Sequence, residues 1–185
     1  MPAAIDRWTA DMVRSLPDDG NRYEVVDGAL LVTPAPTWSH QDAVVELAVR
    51  LREYLRATGA GHVIIAPADV QFAPNTLVQP DLFVVPLRAG LKPHNWAEAG
   101  RLLLAVEILS PSTARADRHV KRRLYQREEV PEYWIVDVDA RLIERWRAAD
   151  ERPEIVSERL RWQPDSGHAA LEIDLATYFA EVVGG

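Results

Sequence analysis

Two carboxylates stand where an apolar strand should run. Glu107 interrupts "RLLLAVEILS", and Asp81 heads the run "LFVV" within "VQPDLFVV". A carboxylate removed from water is costly unless hydrogen bonds and an opposite charge compensate it. Taken singly, an Asp at a strand end makes a turn or cap, and a buried Glu pairs with an Arg. Taken together on neighbouring core strands, two acids repel unless one keeps a proton or both share a cation. Carboxylates with a backbone carbonyl and waters form an ordinary oxygen-donor site for Mg²⁺ or Mn²⁺. A chain like this must fold around an acidic centre.

Composition narrows what that centre can contain. The sequence has 185 residues and no cysteine, so thiolate metal sites, disulfides and a cysteine nucleophile are all excluded. Its length and its 48% hydrophobic content predict one globular domain over residues 1–185. No apolar run approaches the roughly 18–20 residues of a membrane span, and Asp6, Arg7 and Asp11 interrupt any signal-peptide core. The expectation is a soluble, cytoplasmic protein with no membrane partner. A net charge of -7 argues weakly against extended nucleic-acid binding, but "RADRHVKRRLYQR" concentrates seven Arg, Lys or His in one short segment.

Periodicity supplies the elements. Trp8, Met12 and Val13, with Ile5, predict a leading helix, and "PDDGN" a turn, within residues 1–20. "YEVVDGALLVTPAP" reads as a hairpin turning at Asp27-Gly28, with Glu24 on its first arm. A helix is predicted from about Ser39 to Thr58, closed by Gly59. "HVIIAPADVQFA", "LVQPDLFVVP" and "RLLLAVEILS" read as strands of one sheet, and the stretch "LRAGLKPHNWAEAG" as a loop or short helix.

A further helix is predicted from about Ala114 to Glu129, with Ser112 or Thr113 as N-cap. "EYWIVDV" and "RLIERWRA" form a hairpin in which "EYW" reads as core aromatics, a cleft border being the alternative for Tyr125 and Tyr133, and the tail over residues 170–185 ends in a helix capped near Asp174. On a wheel at about 100° per residue, Val120 and Leu124 define the buried side of the Ala114–Glu129 helix. Arg115, Arg118, His119 and Arg122 cluster opposite, either as a solvated face or as a phosphate-contacting stripe. Lys121 falls at the border of the two faces, from which its amine can reach the strand ends.

"YEVVDGALLVTPAPTWSHQ", "QPDLFVV", "LAVEILSPST", Lys121 and "VPEYWIVDV" together resemble the Uma-type restriction endonuclease family of the PD-(D/E)xK nuclease superfamily, from about Tyr23 to Asp137. The resemblance implies an α/β fold, a restriction-endonuclease-like core with a mixed central β-sheet flanked by helices. It implies a metal-dependent endonuclease in which Asp81 and Glu107 hold Mg²⁺ or Mn²⁺. Where the superfamily pattern puts a lysine two residues after the second acid, this chain has Leu109, and the family supplies the amine from the following helix, a role that falls to Lys121. Glu24 is the implied additional acid, and His40 a secondary candidate that is more often a cap or hydrogen-bonding partner. DNA is the expected substrate, which the residues do not separate from RNA, and a homodimer is the expected assembly. Two other readings stay open: a nuclease fold that binds without cutting, and a glycoside hydrolase using Asp81 and Glu107 as acid and base.

Overall fold

The computed structural model describes residues 7–184. Thr9 caps α1 (Ala10–Arg14) by accepting from the Met12 amide. A hairpin follows, β1 (Arg22–Val26) and β2 (Ala29–Thr33), turning at Asp27 and Gly28, both at positive φ as the dipeptide predicts. Thr37 caps the long helix α2 (Trp38–Thr58), and Gly59 ends it in the left-handed conformation. The chain then runs through β3 (His62–Ile65), β4 (Val70–Ala73), β5 (Thr76–Val78), β6 (Leu82–Val85), the short α3 (Trp96–Ala99) and β7 (Leu104–Ile108). A π-helical turn, Ala116–Lys121, leads directly into α4 (Arg122–Arg127). Next come β8 (Tyr133–Asp137), β9 (Leu142–Trp146), β10 (Glu154–Val156), β11 (Arg159–Trp162), β12 (Leu171–Asp174) and α5 (Leu175–Val183), the last capped by Asp174.

The central sheet is mixed, in the order β10-β9-β8-β7-β6-β3, with β7 and β8 its parallel pair. A parallel pair needs a long crossover, and the π-turn with α4 supplies it. One face of the sheet, carrying Leu82, Val84, Val106, Trp134 and Val136, packs on α2 and α5 through Leu47, Leu51, Tyr178 and Phe179. The opposite face carries Phe83, Ala105, Tyr133 and Ile135 and packs on α4 through Leu124 and Tyr125. It also meets a second, antiparallel sheet of order β2-β1-β5-β4 through Val26, Val70 and Val78. Helices on one face, and a helix with a small sheet on the other, cover both sides, so β6, β7 and β8 are buried along nearly their whole length, Glu107 included.

Three expectations change. The apolar segments expected in one sheet are divided between two: β3, β6 and β7 join the central sheet, whereas β4 and β5 join the hairpin. Pro67 and Pro80 stand at the breaks, where a residue lacking an amide hydrogen cannot continue a ladder. The predicted helix from Ala114 opens with a π-turn, whose i to i+5 spacing the 100° wheel does not describe. β10 and β11, short and rich in charged residues, were not anticipated. Residue Ile5 of the leading helix lies outside the described residues.

Gly61 permits the close approach of β3 to β6. A Cβ there would lie 2.8 Å from the Val85 carbonyl oxygen and 3.0 Å from Val84 Cγ1. Backbone in a ladder cannot retreat, so Gly61→Ala is expected to cost about 1–3 kcal/mol, measured by urea unfolding. Among the described residues, no helix is long and apolar enough to cross a membrane.

Candidate active site

The acids predicted from the sequence lie on one face of the central sheet, and the ladder explains why. Leu82 pairs with Val106 and Phe83 with Ala105, so the register continued by one residue sets Asp81 opposite Glu107. Alternation then points Glu107 to the side of Ala105, away from α2. β1 lies over this face and brings Glu24, while the π-turn brings Lys121. Glu24, Asp81, Glu107 and Lys121 are all buried, none more than 4% exposed.

Lys121 is the hub. Its Nζ lies 2.8 Å from Glu24 Oε2, 2.9 Å from Glu107 Oε1 and 3.8 Å from Asp117 Oδ1. The wheel placed this amine at the border of two helix faces; the structure buries it entirely. Glu24 is further held by the Gln79 amide, which donates to Oε1 at 2.7 Å, and Tyr125 donates its hydroxyl to Glu107 Oε1 at 3.3 Å. Tyr125 and Tyr133 are core residues here, not an exposed cleft border.

Asp81 has three protein partners, of which only His40 was a candidate from the sequence. Arg22 NH1 lies 2.7 Å from Oδ1, His40 Nε2 3.0 Å from Oδ2, and the Ile108 amide donates to Oδ2 at 2.8 Å. His40 therefore does reach the site, from the first turn of α2, as a hydrogen-bonding partner. Arg22 and Asp117 are the site residues that sequence reasoning missed. Both had a signal: Arg22 is two residues before Glu24 on a strand, hence on the same side, and Asp117 is one helical turn before Lys121.

The electrostatics set the acids against each other. Burial pushes the Asp81 carboxyl up, but the hydrogen bond with His40 and the charges of Arg22 and Lys121 outweigh it, so Asp81 stays ionised far below the usual carboxylate range. Burial pushes the Glu107 carboxyl well up, and the Asp81, Asp117 and Glu24 charges add to this against Lys121. Asp117 is raised too, by burial first. Burial alone would pull the Lys121 amine down, but Glu107, Glu24 and Asp117 reverse that and hold it protonated.

Four carboxylates, Glu24, Asp81, Glu107 and Asp117, thus face two fixed cations, Arg22 and Lys121. The excess of acid is what a hard divalent cation would balance, and the donors are all oxygen, as Mg²⁺ or Mn²⁺ requires. Buried atoms without a hydrogen-bond partner also concentrate here: Arg22 Nε, His40 Nδ1 and both Asp117 carboxylate oxygens. Native interiors rarely leave such groups unmatched away from a working site. By chemistry the donor set fits. By geometry, no three His, Asp or Glu side chains among the described residues are grouped as a cation cage, because Arg22 and Lys121 engage the acids.

The expected basic stripe is divided. Arg118 lies 2.6 Å from Glu144 and 3.3 Å from Asp137, and Arg122 sits over the Trp146 ring at 4.8 Å. Arg115 and His119 face outward. Beside the acids, on the same sheet face, opens a cleft of about 510 Å³ floored by Phe83 and Val85 and walled by Trp96 and Asp69. Gln79 links the two, its amide on Glu24 and its side chain donating to Asp69 at 2.9 Å.

Comparison with known proteins agrees with this architecture. No curated protein is similar enough to this chain to count as a relative. The crystal structure of a protein from Anabaena variabilis described as "a putative nuclease belonging to DUF820" superposes with a TM-score of 0.75 at 17% identity, covering 95% of this chain and 99% of that one. At that identity the likeness establishes the shared fold. Residues 10–176 match the Uma2 family model, described as "Putative restriction endonuclease". The chain belongs to the Uma2 family of restriction-endonuclease-like proteins.

Proposed function

We propose that this protein is a metal-dependent endonuclease that hydrolyses phosphodiester bonds in DNA. The observation that carries this reading is the meeting of Glu24 and Glu107 on one buried ammonium, Lys121, with Asp81 opposite Glu107 on the next strand. Asp81, Glu107 and Glu24 are the residues that would hold Mg²⁺ or Mn²⁺; when bound, such a cation lowers the pKa of a water and offsets charge on the phosphate. Lys121 orients the attacking water or stabilises the charge that develops on the phosphoryl oxygens. Arg22 and His40 fix the Asp81 carboxylate, and the Tyr125 hydroxyl with Lys121 fixes that of Glu107. Arg115 and His119 are the outward basic groups available to the nucleic-acid backbone.

Supercoiled plasmid incubated with Mg²⁺ or Mn²⁺ tests the reading. Nicking is expected to require the metal and to fall by at least about 100-fold in Asp81→Asn. A second reading, a nuclease fold that binds without cutting, is favoured by one feature: Arg22 and Lys121 already neutralise part of the acidic cluster. Divalent-metal binding by calorimetry, with no cleavage of plasmid, single-stranded DNA or RNA, would select it.

A further inference from the structure

The side of α2 that faces away from the core carries an unusual sequence. Trp38, Asp42, Val45, Val49, Arg52 and Arg56 are all exposed and are separated by four, three, four, three and four residues. That is the spacing of a two-helix seam. At about 100° per residue the six fall within about 40° of one line, directly opposite the buried Leu47 and Leu51. Trp38 is 91% exposed, Val45 53% and Val49 46%, a cost in water that a helix wholly solvated on this side does not need to carry.

The stripe is also its own complement. Laid antiparallel against a second copy about a twofold axis level with Leu47, Val45 meets Val49, Asp42 meets Arg52 and Trp38 meets Arg56. Each contact occurs twice, as an isologous interface demands. The matches are chemical as well as positional: apolar on apolar at the centre, carboxylate on guanidinium next, and guanidinium on indole at the ends. Among the described residues, the ion pairs of α2 are those of His40 with Asp81 and of Arg50 with Glu46 and Glu181, so Asp42, Arg52 and Arg56 are not otherwise engaged.

We infer that the protein forms a twofold homodimer through an antiparallel α2–α2 seam. The inference does not rest on the nuclease reading. The seam is about 27 Å long, from Trp38 to Arg56 at 1.5 Å per residue. A single helix pair of that length buries an area at the low end of stable interfaces, so the association is concentration-dependent.

Sedimentation velocity from about 1 to about 500 µM at low salt tests it. The wild type is expected to pass from monomer to dimer across that range. Asp42→Arg sets arginine against Arg52 at two places and is expected to weaken association at least about tenfold; Arg52→Asp does the same with acids. Combining the two substitutions restores both pairs in reversed polarity and is expected to return the dissociation constant to within about threefold of wild type. Both substitutions lie on exposed helix surface, and circular dichroism checks that each of the three variants is folded. A wild type that stays monomeric throughout overturns the inference. So does association unchanged by Asp42→Arg, or a folded double variant that fails to recover.

Discussion

Lys121→Met is expected to lose about 3–5 kcal/mol of unfolding free energy at pH 7, because it removes the cation from a buried ion cluster and leaves the acids behind. Methionine fills a similar volume, so the loss reports charge and not a cavity. Glu24, Glu107 and Asp117 would then share a dry site in which Arg22, committed to Asp81, is the remaining fixed cation. Urea unfolding followed by circular dichroism measures the loss. Its pH dependence supplies a second check: as pH falls toward the ordinary carboxylate range the stranded acids take up protons, and the gap to wild type narrows. A loss below about 1 kcal/mol would mean that the ammonium does not hold the cluster together. Metal-dependent nicking is expected to vanish in the same variant even under conditions where it remains folded.

Glu107→Gln is expected to separate stability from activity. Burial and the neighbouring acids raise the Glu107 carboxyl, so the fold favours its neutral form. A group raised in this way contributes most below its unfolded pKa of about 4.3, and that contribution is lost as pH rises through the folded value. Glutamine is neutral at every pH, so at neutral pH the variant is expected to be at least as stable as wild type, with its advantage shrinking as pH falls toward about 4.3 and gone below it. Lys121 keeps its contact with Glu24. Cleavage is nonetheless expected to fall by at least about 100-fold, because the amide is a poor ligand for Mg²⁺ and no longer supplies charge. Asp81 behaves oppositely: held ionised far below its ordinary range, it contributes stability above an unfolded pKa of about 3.9 that is lost only in strong acid. A Gln variant clearly less stable than wild type at pH 7 would show that the Lys121 pair outweighs the desolvation of Glu107.

The two acids could be read together because strand periodicity is local. Glu107 inside an apolar run and Asp81 at the head of another announce themselves without knowledge of distant residues, and their adjacent strands follow from segment order. The hairpin at Asp27-Gly28, the helix ending at Gly59 and the cap at Asp174 were legible for the same reason, each set by a few neighbouring side chains. The pairings of Asp81 were not legible. Arg22 and His40 are 59 and 41 residues away, and nothing in their own neighbourhoods says that β1 and the first turn of α2 will meet the head of β6.

Helix geometry marks the other boundary. A regular wheel put Lys121 between a buried and a basic face, and grouped Arg118 and Arg122 with Arg115 and His119. The π-turn changes the angular step over these residues, turns Asp117 and Lys121 inward together, and gives Arg118 to Glu144 and Arg122 to Trp146. What the sequence determined by itself was the chemistry of the centre: buried acids, an amine, no thiols, and strands to carry them. What only the tertiary structure decided was how that charge is shared, because the energy of a buried carboxylate depends on which cation folding brings within about 3 Å, and that distance is set by the packing of elements far apart in the chain.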